Sequence, residues 1–360
     1  MGTMRLPVAR QSEQYQISPD YVRISTAAAL VLGLERGRFF RDAATRCVNL
    51  LQNYPEGCWA NCTYCGLARE RPGLAEENTF IRVGWPLHDT DLVARRIAEH
   101  EDAIGRVCIA QVHDKRANDD LVDMTARVRA HSSVLISALV TATLLDRPWL
   151  HRFKSAGADI IGIGLDAASE EVFHDSRGRG ARGPHDWDYH WEIVRAAREI
   201  YGPYHVNCHI VVGLGETDRD LVTLFYRLKA DQVAGYLFSF NPEPGTALGK
   251  KPRAPLHRWR RIQLVKHLIE NAGLDPEAVG FDRSGTIDRL DVAPETVTEA
   301  ITSGTPFQTD GCPDREGEVA CNRPFGSYRP GEAFRDYPFL PIAEDAVRIR
   351  HELRLEQILC

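Results

Sequence analysis

The chain has 360 residues, 43% of them apolar, and a formal net charge of −6. That length suits one large α/β barrel or two ordinary domains, and the mild acidity gives no reason to expect a nucleic-acid partner. No run of eighteen apolar residues offers a membrane span, and Met1 to Arg10 lacks the apolar centre of a signal peptide. With no secretion signal, nine cysteines fit reduced thiols, metal ligation and a cytoplasmic location better than a disulfide framework.

In chain order, residues 1–45 form an N-terminal extension, in which Ser18-Pro19-Asp20 opens an expected helix over Tyr21 to Arg36. A first strand is expected at Val48 to Asn53, ended by the turn residues Tyr54-Pro55-Glu56-Gly57. After a polar stretch, Asp89 and Thr90 open a helix running to about Glu101. Strand-like runs follow at Arg106–Val112, Val134–Leu139, Asp159–Gly164, His205–Val212 and Gly235–Phe240. Helical spacing lies between them, at Asp119–His131, Leu150–Ala156, Trp187–Ile200, Asp218–Leu228 and Trp259–Asn271. Six or more βα units without a linker or internal repeat predict an α/β fold, a full or partial TIM-type barrel over residues 46–305. Residues 306–360 are left as a C-terminal tail, expected to extend over the barrel mouth.

The turn after the first strand leads directly into Cys58-Trp59-Ala60-Asn61-Cys62-Thr63-Tyr64-Cys65. Three thiolates at C-x3-C-x2-C spacing can hold three irons of a [4Fe-4S] cube and leave the fourth without a protein ligand. A structural zinc site would want a fourth Cys or His nearby, and none follows before His88. The spacing, with an aromatic before the third cysteine, resembles the signature of the radical S-adenosylmethionine (SAM) enzymes. That resemblance implies that the open iron binds the amino and carboxylate groups of SAM and that an electron then cleaves it to a 5′-deoxyadenosyl radical. It also implies an electron donor such as a ferredoxin or flavodoxin. No catalytic side chain is singled out.

The strand exits carry further candidates. Leu165-Asp166 resembles the SAM-ribose segment of biotin synthase, so Asp166 is the candidate ribose contact, with a helix cap as the alternative. Gly213-Leu214-Gly215-Glu216-Thr217 is similar to the family's glycine-bearing adenine segment, which assigns Gly213, Gly215 and Glu216 to the cofactor. Tyr64 is expected to pack on the cluster loop and adenine. Arg177 or Arg179, in a Gly/Arg-rich run, is a candidate for the SAM carboxylate or an acidic protein substrate, with a solvated basic loop as the alternative. Asn241-Pro242-Glu243-Pro244-Gly245-Thr246 reads as a rigid substrate-facing wall or a tight turn.

Of the remaining cysteines, Cys47 and Cys208 read as small core residues and Cys360 as an exposed terminus. Cys108 lies on the strand where biotin synthase has an auxiliary-cluster cysteine, but Asn207 stands at another such position and the Val134–Leu139 strand has none. Cys312 and Cys321, with eight Pro- and Gly-containing residues between them, look like ligands. With Cys108 they would make a second set of three thiolates, for an auxiliary [4Fe-4S] cluster. Cys58 to Glu70, the two strand exits, Asn241–Thr246 and the Cys312–Gly331 tail together resemble the biotin-synthase-like lipoyl synthases that work as a pair. The resemblance implies sulfur insertion at C6 or C8 of an octanoyl chain on a lysine of a lipoyl-carrier protein, with a companion radical SAM lipoyl synthase as partner. Ser327-Tyr328 loosely resembles the Arg-Ser-Ser-Tyr motif of single-protein lipoyl synthases. The alternatives are a biotin-synthase-like or other radical SAM enzyme acting on a small metabolite without sulfur insertion, and a non-catalytic scaffold.

Overall fold

A computed structural model describes residues 16–41, 43, 45–73, 78–326, 328 and 331–359. Met1 to Arg10, Ser327 and Cys360 therefore lie outside the described residues. Eight strands form one sheet: β1 Tyr21–Ile24, β2 Cys47–Gln52, β3 Leu87–Asp89, β4 Arg106–Ala110, β5 Leu135–Val140, β6 Ile160–Asp166, β7 Val206–Val212 and β8 Ala234–Ser239. Their order is β3-β1-β2-β4-β5-β6-β7-β8. The six strands from β2 to β8 are parallel, whereas β1 pairs antiparallel with both β2 and β3. Because β3 and β8 are not paired with each other, the barrel is partial.

Side-chain alternation explains the two faces of this sheet. Val48, Leu50, Val107, Ile109, Ile136, Ile161, Ile163, Val206 and Ile210 face the helices and belong to one large core. Full burial of each such side chain contributes about 1.5–3 kcal/mol. The intervening residues point inward, and here they are mostly polar or sulfur-bearing: Cys47 and Asn49, Arg106 and Cys108, Ser137, then Asn207 and His209. An interior of this kind serves chemistry rather than packing.

One expectation is corrected. Tyr21–Ile24 is a strand and the helix that follows, α1, spans only Thr26–Val31. Val22 and Ile24 alternate with Arg23 and are buried against β2, so pairing overrides the helix propensity of the alanines beyond. Ser25 starts the helix as its cap, accepting from the Ala28 N–H. The tail packs against the sheet. It runs beside β8, where the Leu237 N–H donates to Asp310 Oδ2 at 3.1 Å, and Gln308 bridges to Tyr337. Arg323 lies 3.9 Å over the Phe238 ring, and Phe325 packs with Leu51 and Tyr54 next to β2. The tail thus lies along the open side of the sheet, against the edge strand β8 and close to Leu51 of β2. At the rim Glu332 pairs with Arg82 and Arg253 and Arg335 donates to Ser239 Oγ and Ala254 O, while Cys312 and Cys321 sit by the N-terminal ends of the strands.

Candidate active site

The cysteine loop is fixed from three directions. The Trp59 N–H donates to His113 O beyond β4 (3.0 Å), the Thr63 N–H to Ser176 O beyond β6 (2.8 Å), and the Leu248 N–H to Thr63 O from beyond β8 (2.8 Å). Asn61 ties the loop to itself and to Ala181, donating to Ala181 O at 2.8 Å and accepting from the Glu70 N–H. Held this way, Cys58, Cys62 and Cys65 line one wall of a cavity of about 220 Å3 at the C-terminal ends of the strands. Burial raises all three thiols, Cys62 to about 12, and the nearby Arg177 guanidinium counters this for Cys58 and Cys62.

Opposite the loop stands Asp166, at the end of β6. A register shift between Gly164 and Asp166 breaks the pairing with β7, and Asp166 has φ +62°, the left-handed region that Asp tolerates better than most residues. This bend aims the carboxylate into the cavity. Its Oδ2 accepts from Tyr64 Oη at 2.5 Å and from Arg177 Nη1 at 2.6 Å, leaving Oδ1 without a partner among the described residues. The helix that follows, Glu170–Ser176, is capped by Ser169, so the cap alternative for Asp166 falls away. Arg177 is buried rather than solvated and also bonds Gly164 O. Tyr64, Asp166 and Arg177 therefore form one cluster beside the thiols.

Gly213, Gly215 and Glu216 sit at the exit of β7 but do not line the cavity. The Glu216 carboxylate turns back on its own loop and accepts from the N–H groups of Gly213, Leu214 and Gly215 at 2.8–3.1 Å, with Arg258 as its ion-pair partner. Gly213 has φ +116°, so the turn needs glycine there. On β7 the cavity is lined by His209 and Val211, and from the β8 exit by Asn241 and Glu243.

Sequence reading missed His113 and His185, which also line the cavity. The rings stand 5.8 Å apart, and His190 lies 5.4 Å from His185. Burial and Arg177 push His185 and His190 down, His190 to about 3, so both are neutral. Both ring nitrogens of His113 and Nε of Arg177 are buried without a hydrogen-bond partner among the described residues. Unmet polar groups around a cavity beside three thiols fit a polar ligand such as SAM. No local motif announces these histidines, because their proximity is created by the tertiary fold.

The second group of thiols lies deeper. Asn207 Nδ2 is 3.6 Å from Cys312 Sγ, and Asn49 Nδ2 is 3.5 Å from Cys321 Sγ. Cys108 points inward, its neighbours Val107 and Ile109 being in the helix-facing core, and it interacts electrostatically with both tail thiols. The turn from Cys312 to Cys321 closes on itself, the Cys321 N–H donating to Cys312 O at 3.3 Å. Among the described residues no three His, Cys, Asp or Glu side chains gather tightly enough to hold a single metal ion, in either thiol set. In a cubane each thiolate takes a different iron, so its ligands stand further apart than those of one ion. The all-sulfur donor sets fit such clusters.

Residues 53–228 match the model of the Radical SAM superfamily. A biotin synthase of Streptococcus agalactiae serotype V is 25% identical over 214 residues, covering 56% of this chain and 58% of that protein. One from Bordetella avium is 27% identical over 221 residues, 60% of this chain and 63% of that protein. The chain thus spans less than two thirds of the length of these curated relatives. Among solved structures, methylornithine synthase (PylB) is similar with a TM-score of 0.48 at 13% identity, covering 68% of this chain and 66% of that one.

Proposed function

Since the chain belongs, through residues 53–228, to the radical SAM superfamily, we propose that it inserts sulfur at an unactivated carbon of an octanoyl chain carried on a protein lysine. The observation that carries this reading is a pair of thiol sets on the inner side of one sheet, Cys58, Cys62 and Cys65 lining the cavity and Cys108, Cys312 and Cys321 beneath its floor. On β4, β5 and β7 the next inward positions above Cys108, Ser137 and Asn207 are Ala110, Leu139 and His209, and the last two line the cavity. Two residues of strand span about 7 Å, so the cavity floor lies one layer above the lower thiols.

Cys58, Cys62 and Cys65 would hold a [4Fe-4S] cluster, with SAM between it, Asp166 and Arg177. Cys108, Cys312 and Cys321 would hold the second cluster. Bound there, these groups supply a 5′-deoxyadenosyl radical at the upper end and sulfide at the lower end. The chain's own contribution is placement. Leu67, Phe80, Ile81, Val211, Phe238 and Phe240 give the cavity an apolar wall suited to an alkyl chain, and they keep water from a radical. An inert C–H bond offers nothing to a general base, so a proton-transfer residue is not required. The reading includes a companion lipoyl synthase for the other carbon, an octanoylated carrier protein as substrate, and a ferredoxin or flavodoxin as electron donor.

The test is incubation of the iron-loaded chain, alone and with a companion chain, with SAM, reductant and an octanoyl-lysine peptide, followed by mass spectrometry. Formation of 5′-deoxyadenosine together with a sulfur-bearing peptide is expected. Deoxyadenosine without any sulfur adduct, with or without the companion, would overturn sulfur insertion in favour of simpler radical chemistry.

A further inference from the structure

Cys47 and Cys208 have the same sequence character: one cysteine on a parallel strand, each 0% exposed. The fold treats them differently. Cys208 points to the helices and is part of the large apolar core, among Val206, Ile210 and Val212. Cys47 is two residues from Asn49 on β2, on the inward face, and belongs to neither apolar core. Its Sγ is 3.5 Å from Asn49 Nδ2, the same nitrogen that stands 3.5 Å from Cys321 Sγ. Cys47 is buried as a core residue is, but it faces the tail thiol across Asn49.

We propose that Cys47 is a fourth sulfur ligand of the lower site, which then consists of Cys47, Cys108, Cys312 and Cys321 around one [4Fe-4S] cluster. The inference rests on the second-cluster reading above and extends it by a residue from the first parallel strand. Three elements of separate origin converge: β2 brings Cys47, β4 brings Cys108, and the tail turn brings the other two. Cys47 is in register with Arg106, whose Nε donates to Pro313 O at 2.7 Å, so the tail turn is tied to the strand position next to Cys47. The surroundings suit an anionic group. Arg323 acts on both Cys108 and Cys321, and Arg106, buried and sharing its charge with Asp159 at 2.9 Å, also favours the Cys108 thiolate. Asn49 and Asn207 offer N–H donors to the sulfurs, as outer hydrogen bonds do in iron–sulfur sites. Four thiolates leave no iron of this cube open, whereas the upper site keeps one open for SAM.

The experiment uses the full chain in which Cys58, Cys62 and Cys65 are replaced by alanine, so that only the lower site can load. Reconstituted without oxygen, this background should bind about four irons and four sulfides per chain. Adding Cys47→Ala should lower the iron content to about three after mild oxidation and produce the electron paramagnetic resonance signal of a [3Fe-4S] cluster. Cys208→Ala, a buried thiol of the same kind, should change neither. A background that binds zinc or no iron overturns the second-cluster reading and this one with it. A background that loads fully, with Cys47→Ala indistinguishable from Cys208→Ala in iron, sulfide and spectrum, overturns the role of Cys47 alone. Circular dichroism of both variants separates loss of cluster from loss of fold.

Discussion

Asp166 combines an unusual backbone with a crowded carboxylate. A left-handed φ costs a non-glycine residue energy, and such positions collect where function over-determines the chain. Tyr64 and Arg177 hold one carboxylate oxygen, and the other is available to a ribose. Asp166→Ala should therefore weaken SAM binding to the iron-loaded chain by roughly tenfold to a hundredfold, from about 1.5–3 kcal/mol for a hydrogen bond to a charged group. Equilibrium dialysis reads this directly, and unchanged affinity would reduce Asp166 to a clamp for Arg177. A second residue makes a pH prediction. Burial raises the Asp336 carboxyl from 3.8 to about 7 against the pull of Arg323 and Arg260, and Gln263 Nε2 donates to it at 3.1 Å. Its folded pKa lies above the unfolded one, so the stability it contributes is complete below about pH 4 and is lost as pH rises through 7. Asp336→Asn should flatten the urea midpoint between those limits. An equally steep dependence in the variant would assign it to other groups.

At the scale of elements, the parallel strands and the cysteine loop were legible because apolar alternation and turn residues are local signals. β4, β5, β7 and β8 lie where the apolar runs predict them. The edge strand Leu87–Asp89 was not legible, since three mixed residues carry no period and pair only because β1 is there. The tail's cysteines stood out in the sequence as ligand candidates, but their approach from the lower end did not, because it depends on contacts far along the chain. Gly105 shows the contact, since a Cβ there would lie 2.8 Å from Asp314 Cβ. The turn itself is as tight: a Cβ on Gly311 would come within 2.2 Å of Cys321 O. Gly311→Ala should thus displace the turn and reduce iron loading of the lower site while leaving the upper one intact. Equal loading of both would mean that the turn yields without moving its thiols. The tail is anchored higher up by the helix Leu256–Asn271, where fully buried Arg260 donates to Arg335 O, Glu352 Oε2 and Gln263 Oε1 at 2.6–2.8 Å. Removing one partner of a buried ion pair costs about 3–5 kcal/mol. Arg260→Met should lower the chain's unfolding free energy by a similar amount, and a loss below about 1 kcal/mol would mean that the tail is held elsewhere.

For the whole molecule, the decisive property is that a single curled sheet separates two thiol sets along its own strands. The upper set belongs to a loop braced by the exits of β4, β6 and β8, and the lower one to strand interiors and the tail. No cysteine is shared, and Leu139 and His209 stand between them on adjacent layers. Effects of substitutions at well-separated sites without common partners add. Cluster loading should then be independent: replacing Cys58, Cys62 and Cys65 removes one cluster's iron, replacing Cys312 and Cys321 removes the other's, and the combined variant binds almost none. Activity should divide unequally. Without the upper thiols neither 5′-deoxyadenosine nor sulfur adduct forms. Without Cys312 and Cys321, deoxyadenosine is still produced, because Tyr64, Asp166 and Arg177 are untouched, but the octanoyl peptide gains no sulfur. Iron analysis and product mass spectrometry on the same three preparations decide the matter. Full iron and sulfur transfer in the Cys312/Cys321 variant would make the tail a structural brace of the barrel opening, and the lower thiols would then have no part in the reaction.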